Sequence, residues 1–178
     1  MAKFSYIWEQ LEQAGGPLPF LLIDSAGLPG GEEQIPNDLL SDVECLFTGD
    51  LAEELADVGP YLGRLASLDG TTRDRVSNLM ESSVAILVRL PPATPELPAI
   101  SFSHIHRHFR KFNMVYGPLG TPLFFRYYDP RVMVSVLSVL GANQLVEFYG
   151  VISDFIISGP DKNVVTCSIQ GESLVITR

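Results

Sequence analysis

The residues with the most obvious capacity for chemistry are the three histidines, which all fall in the stretch from Ser103 to Lys111. On a helix, His104 and His108 lie one turn apart, the spacing that two zinc ligands use. A third ligand is missing: no glutamate follows in a zincin pattern, and the nearest cysteine is far away. His106, Arg107, Arg110 and Lys111 surround the pair, and their positive charge opposes a metal cation. The stretch therefore reads as a basic, solvated helix face backed by a Phe/Ile core face, and no metal or other cofactor is expected.

Nucleophilic chemistry is weighed at Ser25, which follows an apolar run as an elbow serine would. It lacks the leading glycine of Gly-x-Ser-x-Gly, and the residues after it do not announce a helix. A strand-ending loop in which Asp24 and Ser25 make local hydrogen bonds is the simpler reading. Cys45 and Cys167, the only cysteines, lie in apolar, strand-like stretches and are read as buried free thiols in a reducing compartment. Gly117 to Pro122 has no Walker lysine, and Gly59 to Gly63 lacks the spacing of a dinucleotide loop. Glu53, Glu54, Asp57, Asp69 and Asp74 fall where helix starts and exposed faces call for carboxylates. No catalytic set emerges, and the expectation is that the protein is not an enzyme.

These residues must be held by elements legible from periodicity. Phe4, Ile7, Trp8 and Leu11 mark one face of a helix ended by Gly15 and Gly16. Strands are expected at 19–23, 44–48, 60–65 and 83–90, with helices at 51–58, capped by Asp50 with Glu53 at N3, and at 72–80. The stretch 27–36 should be irregular. Residues 91–98 hold four prolines in eight positions and read as a stiff connector between two small lobes, 1–90 and 99–178. Beyond it, Phe102, Ile105, Phe109 and Phe112 define a helix with Ser101 as N-cap. Residues 113–116 and 123–128 form paired strands, helices follow at 130–140 and 143–149, and strands at 154–157, 164–169 and 173–177 close the chain in a hairpin. The fold class is α/β, a mixed α+β arrangement.

A net charge of −9 over 178 residues offers no footprint for nucleic acid or an anionic membrane surface. Met1 to Gln10 has no apolar leader segment, and no apolar run approaches the length of a membrane span, so a cytoplasmic protein is expected.

Two segments stand out. Leu46-Phe47-Thr48-Gly49 is followed after a short helix by Val58-Gly59-Pro60-Tyr61-Leu62, in which Gly59 and Pro60 form a turn into a strand. Further on, Leu123 to Val132 contains Arg126-Tyr127-Tyr128-Asp129-Pro130-Arg131. Asp129 is an N-cap candidate and Pro130 fits the first helical position. Arg126 is expensive to bury unpaired, and Asp129 or another carboxylate is its natural partner.

The order of these motifs resembles the type VI secretion effector chaperone family, a family first catalogued as a domain of unknown function. Leu21-Leu22-Ile23-Asp24-Ser25-Ala26, His108-Phe109-Arg110 and Phe148-Tyr149-Gly150 are similar to further segments of that family. The resemblance covers roughly residues 20 to 150. It implies a bacterial adaptor that binds a cognate effector toxin and delivers it to the VgrG spike protein. Gly59, Pro60, Tyr61, Arg126, Asp129, Pro130 and Arg131 would be its signature residues, and Tyr127, Tyr128, Phe148 and Tyr149 candidate partner contacts. The alternatives are an immunity-type inhibitor of a toxin and a small serine hydrolase built on Ser25.

Overall fold

A computed structural model describes residues 4–117, 119–159 and 161–178. Pro118, in the expected turn, and Met1 to Lys3, at the start of the stretch read as lacking a leader, lie outside the described residues. The fold is mixed α+β. The described residues form six α-helices, a seven-stranded sheet and a separate two-stranded ribbon, with five of the helices packed on the large sheet. The large-sheet strands are β1 (Phe20–Asp24), β2 (Leu40–Cys45), β3 (Pro60–Leu65), β4 (Ala85–Arg89), β7 (Asp154–Ser158), β8 (Val164–Gln170) and β9 (Ser173–Thr177); β5 (Met114–Tyr116) and β6 (Pro122–Phe124) form the ribbon. The large sheet runs β2-β3-β1-β4-β7-β8-β9, with every neighbouring pair antiparallel.

The central strands are apolar on both sides because both faces are covered. Successive side chains in a strand point to opposite faces. Phe20 and Leu22 of β1, Ile86 and Val88 of β4, and Phe155 and Ile157 of β7 share one core. Leu21, Ile23, Ala85, Leu87 and Ile156 enter the other. The second core is closed by α1 (Ser5–Ala14), through Ile7, Trp8 and Leu11, and by α3 (Gly70–Glu81), through Val76 and Met80. Trp8 Nε1 donates to Ser77 Oγ at 3.1 Å, tying these two helices together. The first core is closed by α4 (Phe102–Arg110), α5 (Pro130–Val139) and α6 (Ala142–Tyr149). The remaining helix, α2 (Asp50–Leu55), is short and carries no buried residue.

Residues 91–98 contain no helix or strand. They carry the chain from β4 to α4, yet β4 and β7, on either side of them in sequence, pair directly as Leu87↔Ile156 and Val88↔Phe155. One sheet thus spans both halves of the chain.

Some boundaries depart from expectation. The second strand is 40–45 rather than 44–48; Leu46 N–H still bonds Pro60 O at 2.8 Å, after which Phe47 leaves the ladder, and both side chains are buried in the core. Asp50 is the first helical residue of α2 rather than its cap; Gly49, at φ +59°, takes the cap position without a side-chain bond. Of the strand expected at 123–128, only 122–124 pairs. Phe125 N–H bonds Asn113 O, and Tyr127 and Tyr128 turn inward. Ser101 caps α4 as expected, its Oγ accepting from His104 N–H at 3.2 Å. Among the described residues, no helix is long and apolar enough to cross a membrane.

Candidate functional site

The C-terminal end of β1 is where the distinctive segments converge. Asp24 and Ser25 are both buried there. Asp24 lies opposite Pro60 across the β1–β3 pair. Ser25 reaches the same strand start: its Oγ donates to Gly59 O at 2.7 Å, with Asp57 O at 3.1 Å, and its N–H donates to Gly59 O at 3.2 Å. The Ser25 hydroxyl and N–H therefore make long-range bonds, while its carbonyl accepts the local bond expected of a loop serine, from Leu28 N–H at 2.9 Å. Gly59 fits closely here. A Cβ would lie 3.0 Å from the Phe47 ring, 3.1 Å from Leu55 O and 3.3 Å from Cys45 Sγ, close enough that these neighbours would have to shift by a few tenths of an ångström. Tyr61, next in β3, donates its phenol proton to Glu32.

Asp24 itself receives Arg126, with Nη2 to Oδ2 at 2.7 Å. The other carboxylate oxygen, Oδ1, is buried and has no hydrogen-bond partner. Burial raises the Asp24 pKa above its ordinary value, against the opposing pull of Arg126. The Arg126 guanidinium also lies 5.8 Å from the Tyr128 ring centroid, within cation–π range.

Asp129 is the N-cap of α5, and Pro130 occupies the first turn. Its Oδ1 accepts from Arg131 N–H at 3.0 Å, and both carboxylate oxygens take the Arg131 guanidinium at 2.8 Å. Arg126 is more distant, 3.6 Å from Oδ2. Burial works against the charged form of Asp129, but the Arg131 bonds, helped by Arg126, hold its carboxyl below the usual carboxylate range. Sequence reasoning identified Asp129 and the need for a carboxylate beside Arg126. It missed Asp24, 102 positions away, as the closer partner. The available signal was an aspartate at the end of an uninterrupted apolar strand.

Asp129→Ala should cost about 1–3 kcal/mol, from a lost cap and the loss of the anion between two arginines. Denaturant melts at neutral pH measure this, and a change within about 0.5 kcal/mol, the range of ordinary surface substitutions, would remove both roles.

The histidines are divided by the fold. His104 is exposed, whereas His106 and His108 are buried, which corrects the expected solvated basic face. His108 Nε2 donates to Phe148 O at 2.8 Å, and His106 Nε2 donates to Cys45 O at 2.9 Å. Burial lowers the His108 pKa below its ordinary value. The ring packs so closely on Gly150, at φ +53°, that a Cβ there would lie 2.7 Å from His108 Cε1. The two resembling segments His108-Phe109-Arg110 and Phe148-Tyr149-Gly150 thus meet in space. Among the described residues, no group of three or more His, Cys, Asp or Glu side chains is placed to hold a metal ion.

The four aromatic residues considered as partner contacts, Tyr127, Tyr128, Phe148 and Tyr149, are at most 4% exposed. Tyr127 OH lies 3.0 Å from both Phe109 O and Asn113 Oδ1, and its ring stacks on Phe109. Phe148 packs against Phe112, Phe125, Tyr127 and Phe155. These residues hold the core together; burial withdraws them from any surface contact.

The site can therefore organise structure through three cross-links: Ser25 to Gly59, Asp24 to Arg126, and His108 to Phe148. No curated protein and no solved structure gives a match. A family model described as a domain of unknown function (DUF4123) matches residues 19–147, a span that contains all three cross-links except its outermost residue, Phe148. With well over half of its length matched, the chain belongs to the DUF4123 family.

Proposed function

We propose that this protein is an adaptor that binds a cognate toxic effector in the bacterial cytoplasm and loads it onto the VgrG spike of the type VI secretion system. What carries the reading is the ordered set of motifs resembling the effector chaperones, from Leu21–Ala26 to Phe148–Gly150, lying in and just beyond the stretch matched by the family model. The disposition of the motif residues supports it. Ser25 gives its hydroxyl proton to backbone carbonyls, so the hydrolase alternative lacks an activated nucleophile. Arg126, Asp129 and Arg131 spend their charges on one another and on Asp24. Contact surface is available elsewhere, in exposed apolar residues such as Tyr116, Leu119, Leu123 and Phe124. Groups of that kind mark interaction sites when they lie together.

A toxin encoded beside this gene should gain soluble yield on co-expression and co-purify with the protein, because a client whose apolar surface is covered is stabilised by mass action. Deleting the gene should abolish export of that toxin while the tube protein is still secreted. Unchanged toxin export ends the adaptor reading. Self-poisoning of the deletion strain with delivery intact would identify an immunity protein instead.

A further inference from the structure

The β5–β6 ribbon and the adjoining end of α4 form a surface unlike the rest of the molecule. The half-buried Leu51 and Met114 line a groove of about 540 Å³ whose floor is the buried Leu46 and Phe47. Its other wall is Arg107, Arg110 and Lys111, spaced so that they share one face of α4 and its C-terminal turn. All three are exposed, and among the described residues none forms an ion pair with an Asp or Glu of this chain. That is notable in a protein with 21 acidic and 12 basic residues, where most arginines have found carboxylates. The apolar wall continues outward. Met114 pairs across the ribbon with Phe124, which packs on Phe47 at 5.7 Å between ring centroids and is still 49% exposed. Tyr116, two residues from Met114 and so on the same face of the ribbon, extends the exposed apolar strip, whereas Leu123 lies on the opposite face.

The groove itself is anchored from below. Asn113 Nδ2 donates to Leu46 O at 2.6 Å and His106 Nε2 to Cys45 O, so the segment carrying Leu46 and Phe47 is fixed to α4. A pre-formed floor of this kind lowers the ordering cost of binding.

We infer that this groove is the docking site for a short acidic segment of the effector, one that places two or more carboxylates beside apolar side chains. The inference rests on the adaptor reading and adds the surface and the chemistry of its partner. Charge complementarity selects the occupant: the apolar wall takes apolar anchors, and three unpaired cations on the opposite rim take carboxylates. The rest of this acidic surface repels such a segment, so the attraction is confined to one place.

The test has two arms. In the first, a random peptide library is panned on the full chain, and a labelled synthetic peptide of the enriched sequence is titrated into wild type and the Arg107→Glu/Arg110→Glu/Lys111→Glu variant. Enriched peptides should combine Asp or Glu with apolar residues. Binding should fall about tenfold or more in the variant, and also as salt rises from about 0.1 M to about 1 M, which cuts the screening length to roughly 3 Å. No enrichment, enrichment of neutral or basic peptides, or equal binding by the variant overturns the proposal. Tighter binding of a labelled oligothymidylate through the same residues also overturns it. All three positions are exposed but lie at the C-terminal end of α4, where anions oppose the helix dipole, so the Glu variant should melt somewhat below wild type while staying folded; the Gln triple variant, tested in parallel, removes charge without reversing it and should melt close to wild type.

The second arm is capture of the co-expressed toxin. Loss of capture by the triple variant supports the groove, and full capture by that variant overturns it. Failure of wild type to capture any neighbouring toxin sinks the adaptor reading instead, and the peptide arm then still decides whether the groove binds acidic segments.

Discussion

Arg126→Ala should lower stability by about 3 kcal/mol at neutral pH, the low end of the range for breaking a buried ion pair. The reason lies with the partner left behind. Asp24 is 1% exposed, and one of its carboxylate oxygens already has no hydrogen-bond donor. Removing the guanidinium at 2.7 Å leaves a buried anion whose remaining charged neighbours are Asp129, of the same sign, and Arg131, whose favourable pull is the weaker of the two. The effect stays at the low end because Arg126 is itself about half exposed, and water can follow where it withdraws. Asp24→Asn in the Arg126→Ala background should recover most of the loss, since a neutral amide in that place does not require a cation. A double-mutant cycle by denaturant melts measures the coupling. Equal stability of Arg126→Ala and wild type would show that Asp24 finds compensation elsewhere.

The same pair gives a pH signature. The folded-state pKa of Asp24 lies above the ordinary value of 3.8, so its contribution to stability is fully present below 3.8 and is lost as pH rises through the folded value. Arg126→Ala removes a cation and lifts the carboxyl further, so the deficit of the variant should shrink as pH falls from neutral toward 4. Asp129 works in the opposite direction. Its folded-state value is depressed, so its contribution is present above 3.8 and is lost as pH falls through the folded value. Acid titrations of Arg126→Ala and Asp129→Ala should therefore converge on wild type in different windows, the first above 3.8 and the second below it.

The two-sided burial of the central strands was legible as apolar runs, and the helix faces as spacings of three and four. Local chemistry also carried through: Ser101 and Asp129 cap the helices expected of them, because capping depends on residues only a few positions apart. What did not carry through is non-local. His106 and His108 read as solvated because their sequence neighbours are Arg107, Arg110 and Lys111. Their bond partners, Cys45 O and Phe148 O, are 61 and 40 positions away. Ser25 has the composition of a turn residue, and only the antiparallel pairing of β1 with β3 brings Gly59 O to its hydroxyl. The connector at 91–98 was visible from its prolines, but nothing in it reveals that β4 and β7 pair across it. Strand order depends on which edges meet, and a single sequence shows only which residues face inward.

Phe148 shows how the distinction between a core residue and a contact residue can be measured. In a short aromatic-Tyr-Gly segment it has the composition of a partner anchor, since anchors are commonly aromatic. In the fold it is 1% exposed, with four other rings at centroid distances of 5.1 to 6.4 Å. Phe148→Ala should then cost about 3–5 kcal/mol, the transfer free energy of the ring plus the cavity it leaves. The cavity cannot collapse easily. Phe148 O is held by the buried His108, and the helix ends directly at Gly150, whose backbone packs on that histidine ring. Phe148→Leu, which keeps much of the apolar volume, should cost considerably less and should leave toxin capture intact wherever the protein is folded. An anchor role predicts the reverse pattern: unchanged denaturant midpoints for both variants, with toxin capture lost in the alanine variant. Melting curves and capture assays run on the same two preparations separate the outcomes, and a stable Phe148→Ala protein would contradict the packing that places this ring in the core beneath α4, α5 and α6.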